Sequence, residues 1–260
     1  MDFTLNKYTQ LLTALKDSGF LFVQRFSPNV DARQVLMRHD VDLRPDRSLQ
    51  LAHVEADLGV RAIYYFRAVP ESWDDGVIKE IASFGHEIGY HYESLTTCGG
   101  NTDDAYRDFC DNIHRMSNLL GYPIKTICMH GSPRSPYDSK DIWKKYDYHS
   151  LGIDFEPYLD TDFSHTFYLT DTGRRWDGYK VSVRDRIPQF QEKWQKEGLS
   201  FHTTSSIIKD IKSADSMIYR CRYNLMITTH PQRWTDSFIP WTSELLIQNL
   251  KNIIKYFIAK

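Results

Sequence analysis

The fold is decided by one stretch of sequence, Arg38-His39-Asp40-Val41-Asp42, which closes the apolar run Val35-Leu36-Met37. The run is short and β-branched enough to predict a buried strand. Alternate residues of a strand share a face, so Asp40 and Asp42 point the same way and His39 and Val41 point the other. Two neighbouring carboxylates repel each other and lose solvation unless a cation or strong donors lie between them.

The residues that follow place this pair of aspartates at the carboxyl end of the strand. Pro45 halts the strand and Asp46 opens a helix. The carboxyl ends of parallel strands are where α/β proteins hold their active sites. An alternative interpretation is that both aspartates serve a turn and a helix cap, positions in which Asp is common.

Helix and strand patterns alternate along the rest of the chain. Helices are predicted at 5–15, 46–58, 72–84 (with Ser72 as the cap), from 102, at 205–212 and from 242, the last with the apolar stripe Leu246, Leu250, Ile253 and Phe257. Strands are predicted at 20–23, 35–42, 61–67, 86–93, 125–130, near 150–155, at 166–170 and at 225–229, with regular structure also returning over 199–203. Such alternation requires a parallel sheet with right-handed crossovers. We therefore expect an α/β fold, an irregular (β/α)7 barrel that forms a single domain over residues 1–260.

Composition excludes several classes of function. A net charge of −2 argues against nucleic acid as the main partner, since phosphate binding requires a basic surface. No apolar run approaches the roughly 20 residues needed to span a bilayer. The four cysteines are far apart, and the first residues do not have the pattern of a signal peptide. We expect reduced thiols and a cytoplasmic location.

Ionisable side chains recur at the predicted strand ends. They are Asp40 and Asp42, His91 and Glu93, His130, and His230. The ends of parallel strands open on one face of a barrel, so these groups should converge. Imidazole and carboxylate side chains together suit a divalent ion such as Zn²⁺.

Each of these histidines also has a structural interpretation. His86 lies at the start of its strand, at the opposite end of the barrel, and is expected to be structural. A lone histidine such as His91 in an aromatic strand is usually a hydrogen-bonded core residue, and His130 could satisfy backbone groups of its loop. Glu93, two residues after His91 and on the same face, favours a site.

Five segments resemble motifs of the polysaccharide deacetylases of the NodB-homology type, carbohydrate esterase family 4. They are His39-Asp40-Val41-Asp42, Gly85-His86-Glu87-Ile88-Gly89-Tyr90-His91, Arg134-Ser135-Pro136-Tyr137, Asp171-Thr172-Gly173-Arg174-Arg175-Trp176 and Thr228-Thr229-His230-Pro231. The second is the most specific, and together they extend over residues 38 to 231. The resemblance implies a deacetylase-like barrel that acts on an N-acetylated sugar.

The resemblance also implies roles for particular residues. Asp40 would be the catalytic base, His230 the catalytic acid, and Asp42 and His91 metal ligands. The second histidine of the family's His-x-x-x-His motif is Leu95 here, which cannot bind a metal. His130 is the first candidate for the missing ligand and Glu93 the second.

The remaining implied residues concern the substrate. The predicted substrate-binding side chains are Glu93, Arg134, Tyr137, Arg174, Trp176 and Trp234. Arg174 or Arg175 would hold Asp40 ionised, the two tryptophans would stack on sugar faces, and a backbone N–H near Tyr137 would bind the oxyanion. The substrate expected is a sugar or glycan precursor, with Zn²⁺ as the cofactor.

Two other classes of function remain open. One is another metal-dependent barrel amidohydrolase, or a glycosidase that uses paired carboxylates, although neighbours on one strand are poorly arranged for the latter. The other is a non-catalytic sugar-binding protein, which would carry no metal and gain no stability from one.

Overall fold

The structure, a computed structural model, describes residues 1–132, 135–177, 182 and 184–258, the last five of these by backbone alone. Its α-helices are α1 (Leu5–Asp17), α2 (Pro45–Asp57), α3 (Asp75–Ser83), α4 (Ser94–Thr97), α5 (Thr102–Leu120), α6 (Pro157–Asp160), α7 (Pro188–Lys196), α8 (Thr204–Ile211), α9 (Met217–Arg220) and α10 (Phe238–Ile258). Its strands are β1 (Leu21–Phe22), β2 (Gln34–Val41), β3 (Ile63–Phe66), β4 (Glu87–Tyr92), β5 (Ile127–Met129), β6 (Thr166–Thr170) and β7 (Asn224–Thr229). Short 3₁₀ helices cover Ser139–Lys144, Tyr148–Leu151 and Pro231–Arg233.

The seven strands form one parallel sheet with β2 near its centre. The hydrogen-bonded order is β5-β4-β3-β2-β7-β6, and β1 pairs with the beginning of β2. Strands β2 to β5 therefore follow one another in space as in sequence, and β7 returns to the other side of β2. The sheet is a curled half barrel with β5 and β6 at its edges. The predicted fold, an α/β irregular (β/α)7 barrel, is confirmed in this form.

The central strand β2 is buried along its whole length. Its pleat directs Arg38 and Asp40 to one face and His39 to the other, as the period of two requires. On the second face, His39 and Glu55 of α2 approach with Nε2 and Oε1 2.8 Å apart, and both side chains are fully buried. This pair attaches α2 to the sheet, so β2 has little freedom to shift.

A cluster of hydroxyl and imidazole groups completes this attachment. Tyr8 of α1 and Tyr64 of β3 each donate a hydrogen bond of 2.5 Å to the Glu55 carboxylate. His86 lies in the same layer, where its Nδ1 accepts from the Ala62 N–H at 3.1 Å. Burial raises the pKa of Glu55, but the His39 and His86 imidazoles outweigh it, and the pKa is lowered.

Two of the predicted elements differ from the observed ones. Helix α3 is capped by Asp74, whose carboxylate accepts from the Val77 N–H, whereas Ser72 donates to the Val41 carbonyl. In place of a strand near 150–155 there is a 3₁₀ helix, Tyr148–Leu151, and a single bridge between Thr126 and Phe155. The apolar pattern there fits one turn of helix as well as a short strand.

The C-terminal part of the chain also departs from the prediction. Helix α7 was not predicted, and the stretch 199–203, where regular structure was expected, contains neither helix nor strand. Helix α10 begins at Phe238, and the predicted stripe faces outward, with Leu246 65% and Leu250 61% exposed. The side chain of Phe257 lies outside the described residues. That residues 1–260 form a single domain stays a prediction.

Candidate metal centre

Three side chains from three strand ends meet on the inner face of the sheet. They are Asp42, just after β2, His91 in β4, and His130, just after β5. One ligand atom from each lies within 4.8 Å of the others. The Oδ1 atom of Asp42 is 3.6 Å from His91 Nε2 and 3.5 Å from His130 Nε2. Ligands about 2.1 Å from a tetrahedral zinc ion are roughly 3.4 Å apart, so these separations fit one ion.

The hydrogen bonds behind the two imidazoles leave both Nε2 atoms facing Asp42. His91 Nδ1 lies 3.0 Å from the carbonyl oxygen of Cys128, and His130 Nδ1 lies 2.8 Å from a carboxylate oxygen of Glu93. Both partners accept hydrogen bonds, which assigns the proton to Nδ1 in each ring. This is the arrangement by which proteins orient histidine ligands of a metal.

Asp42 itself has an unsatisfied oxygen. Its Oδ1 is buried and has no hydrogen-bond partner among the residues that the structure describes, although the side chain as a whole is 21% exposed. Burial raises the pKa of Asp42, but the imidazoles of His91, His130 and His230 outweigh it and hold the pKa well below its usual range. A buried ionised oxygen facing two ring nitrogens is costly without a cation. The three residues therefore fit a divalent metal.

A second group of three, Asp40, His91 and Cys128, also brings its ligand atoms within 4.8 Å of one another. Both oxygens of Asp40 already accept from Arg38, at 2.8 and 2.6 Å. Burial raises the pKa of the Cys128 thiol well above its ordinary value, and a protonated thiol is a poor metal ligand. Asp42, with its free oxygen, is the better partner for His91.

Asp40 lies beside the candidate metal ligands without belonging to them. Its Oδ2 is 3.8 Å from His91 Nε2. The fully buried Arg38, two residues earlier on the same face of β2, grips the carboxylate with two nitrogens. We expected Arg174 or Arg175 in this role, but Arg174 donates to the Trp241 carbonyl and Arg175 pairs with an aspartate further along its own loop.

His230 follows β7 and lies on the opposite side of Asp42, with its Nε2 3.9 Å from Asp42 Oδ2. Its Nδ1 is 2.6 Å from Oδ1 of the buried Asp171, which also accepts from Arg233. Burial and Arg233 lower the pKa of His230, but the Asp171 carboxylate outweighs them and the pKa is raised. Asp171 directly follows β6, so its position at a strand end could have identified it as a site residue. The sequence analysis assigned roles in this motif to Arg174, Arg175 and Trp176 instead.

Glu93 supports His130 from behind and is not among the candidate ligands. Arg67, just after β3, binds both Glu93 oxygens, with its Nη2 2.7 Å from Oε1 and 3.0 Å from Oε2. Burial raises the pKa of Glu93, but His130 and Arg67 outweigh it and bring the pKa to about 2. Glu93, predicted as a substrate-binding residue, thus lies behind a histidine, and Arg67 was missed although it too ends a strand.

The other predicted substrate-binding residues lie elsewhere. Trp176 is 4% exposed and donates to Thr204, and Trp234 is 0% exposed and donates to Asp171, so neither offers a face to a sugar. Tyr137 is 37% exposed, but its backbone N–H already donates to Ser135 Oγ. Arg134 lies outside the described residues.

A carboxylate held by four hydroxyl groups lies in the irregular stretch that sequence patterns did not resolve. Asp185 accepts hydrogen bonds from the side chains of Tyr158, Tyr168, Thr170 and Thr172. Burial raises the pKa of Asp185, but His230 and Arg38 outweigh it and bring the pKa to about 2. The Tyr158 hydroxyl also accepts a hydrogen bond from Arg38 at 3.2 Å, so Asp185 is linked through Tyr158 to the ion pair of Arg38 and Asp40.

Comparisons with known proteins find likeness in structure alone. No protein-family model and no curated protein match the chain. A family 4 carbohydrate esterase from Bacillus anthracis is 10% identical with a TM-score of 0.43, covering 94% of this chain and 86% of its own. The catalytic domain of the peptidoglycan N-acetylglucosamine deacetylase from Eubacterium rectale is 10% identical with a TM-score of 0.44, covering 84% of each chain.

A third solved structure is a pseudoenzyme of carbohydrate esterase family 4 from Bacillus anthracis. It is 12% identical with a TM-score of 0.41, and the match covers 80% of this chain and 67% of that one. Two of the three are named as members of the family that the sequence motifs resemble.

Proposed function

We propose that this protein is a metal-dependent hydrolase that removes an N-acyl group, such as acetyl, from a sugar or glycan precursor. The observation that carries the proposal is one arrangement: a metal-compatible group of Asp42, His91 and His130 has a carboxylate on one side and an imidazole on the other. These are the base and acid that hydrolysis of an amide requires.

Asp42, His91 and His130 would hold the ion. Two imidazole nitrogens and one carboxylate oxygen suit a borderline cation such as Zn²⁺ and leave a coordination position for water or substrate. When bound, the ion would lower the pKa of a water molecule and polarise the acyl carbonyl. His91 and His130 are kept in the ligating tautomer by the Cys128 carbonyl and by Glu93.

Asp40 would accept the proton of the attacking water. The two hydrogen bonds from Arg38 fix the orientation of its carboxylate. A carboxylate has about four lone-pair sites, so Asp40 can still accept a proton from water. The new C–O bond then forms at the acyl carbon.

His230 would donate the proton that the departing nitrogen needs when the C–N bond breaks. Asp171 lies against its Nδ1 and stabilises the imidazolium, which leaves the Nε2 proton available on the side of Asp42. The products are an amine on the sugar and a carboxylate. Asp40 and His230 thus have separate roles because their partners, Arg38 and Asp171, carry opposite charges.

The substrate class rests on the motif resemblance, since amide-bearing sugars are what the resemblance implies. Trp176 and Trp234, the side chains expected to stack on a sugar, are buried. Activity should therefore be measured on a panel of N-acetylated mono- and oligosaccharides, together with simple N-acetyl amides. A rate confined to the non-sugar amides would favour another metal-dependent amidohydrolase.

The proposal is tested by Asp40→Asn. We expect hydrolysis to fall by about 10²–10⁴-fold, the usual contribution of a general base, while zinc measured by mass spectrometry remains stoichiometric. Asp57→Asn is a matched control, since this aspartate is exposed at the last residue of α2, before the amino end of β3. An Asp40→Asn variant that keeps its rate would remove the base assignment, and wild-type protein that binds no zinc would remove the hydrolase proposal.

A further inference from the structure

Helix α10 turns its apolar side away from the protein. Its outward residues are largely exposed: Phe238 67%, Ile239 77%, Leu246 65%, Ile247 50%, Leu250 61% and Ile253 56%. At 3.6 residues per turn, these six side chains fall within about half of the helix circumference. A helix at the surface of a globular protein normally has the reverse orientation.

The side of α10 that faces the protein is held by hydrogen bonds. Gln248 is 5% exposed and donates to Asn252, which donates in turn to the Gly173 carbonyl at 2.8 Å. Near the start of the helix, the Trp241 carbonyl oxygen accepts a hydrogen bond from Arg174. These hydrogen bonds fix which side of the helix faces outward, so the exposed apolar face is a defined surface.

This segment is also basic within an acidic chain. Residues 238–260 contain three lysines and one glutamate, whereas the whole chain has a net charge of −2. Lys251 is exposed and lies one turn beyond Ile247, at the border of the apolar face. An apolar half with a cation at its border is the pattern of helices that lie in the interface of a membrane.

We propose that α10 binds the surface of a bilayer that contains anionic lipids, with its apolar face in the headgroup region and Lys251 at the lipid phosphates. None of the described helices is long and apolar enough to cross a membrane, so the helix would lie in the plane of the interface. A symmetric pair of chains is less favourable, because the same basic segment would face itself.

The position of α10 relates this surface to the candidate site. Asn252 holds the carbonyl of Gly173, two residues after Asp171, the partner of His230. A membrane bound by α10 would therefore lie beside the loop that contributes Asp171. The inference does not depend on the proposed hydrolase activity, because it rests on exposure and charge alone.

The test is co-sedimentation of the full chain with vesicles of roughly one-third phosphatidylglycerol and two-thirds phosphatidylcholine, and with vesicles of phosphatidylcholine alone. We expect binding to the anionic vesicles that weakens with salt. The double variant Leu246→Gln/Leu250→Gln should lower the partition coefficient at least about tenfold, because two apolar side chains no longer enter the interface. Lys251→Glu should lower it about fivefold or more on anionic vesicles.

Leu159→Gln is the matched control, since Leu159 is 47% exposed and lies on another helix; it should bind vesicles as the wild type does. Light scattering distinguishes a protein partner. A dimer that the double variant converts to a monomer, without vesicle binding, would overturn the proposal in favour of a second copy of the chain. Absence of vesicle binding by the wild type, or binding that neither variant changes, would also overturn it.

Discussion

Two clusters of histidine and carboxylate side chains lie on opposite sides of the same sheet and differ in how their polar atoms are satisfied. In the outer cluster, Glu55 and His39 are fully buried, and both Glu55 oxygens accept from tyrosine hydroxyls. In the inner cluster, Asp42 Oδ1 has no hydrogen-bond partner among the described residues. The two clusters contain similar residue types, but only the inner one has a carboxylate oxygen free to bind a metal. Unsatisfied lone pairs, rather than residue types, distinguish a candidate site from a structural network.

The largest effect is expected in the outer cluster. Glu55→Ala should lower the free energy of unfolding by about 3–5 kcal/mol, because His39 and two tyrosine hydroxyls lose their buried partner. Urea unfolding of the metal-free protein measures this directly. Glu55→Gln is the control that keeps the shape and part of the hydrogen bonding. A loss below about 1 kcal/mol would mean that the outer cluster is not structural.

The inner cluster should respond in the opposite way. Asp42→Ala should lower zinc affinity by more than about a hundredfold, since it removes a direct ligand, while the metal-free protein unfolds within about 1 kcal/mol of the wild type. The physical reason is that the orphaned Oδ1 contributes no hydrogen bond to the fold. Zinc titration by calorimetry, with chemical unfolding in parallel, measures both. Unchanged zinc affinity would leave the second group, centred on Asp40, as the ligand set.

A smaller effect is expected one step behind the ligands. Glu93→Gln should weaken zinc binding by about 10–100-fold, because His130 loses the carboxylate that fixes its tautomer. Glu87→Gln is the matched control, as Glu87 pairs with Arg25 at the other end of the same strand. If Glu93→Gln removes zinc as completely as Asp42→Ala does, Glu93 would be a ligand and not a support.

Much of the candidate site could be predicted from strand ends. Asp40, Asp42, His91, His130 and His230 were selected because parallel strands end on one face, and the curled sheet does bring their carboxyl ends together. That argument needs only the chain order of strands and the period of two. It does not depend on which side chain contacts which.

The residues that were missed depend on contacts that sequence order does not contain. Arg38 shares a face with Asp40, but the sequence does not predict its role. A fully buried arginine is rare unless it is paired, and the sequence does not show which carboxylate it pairs with. Asp185 lies where the patterns were irregular, and its four hydroxyl partners come from distant positions. Helix α10 was recognised by its stripe, but periodicity does not tell which side faces the protein.

The position of His39 between Arg38 and Asp40 has a consequence for folding fidelity. A slip of β2 by one residue against its neighbours would exchange its two faces, turning the Asp40 carboxylate toward α1 and α2 and His39 toward the metal ligands. The hydrogen bond between His39 and Glu55 is lost in that slipped arrangement. The outer cluster therefore favours the native register of β2. A chain with a shifted central strand would be less stable, and the metal ligands would not assemble in it.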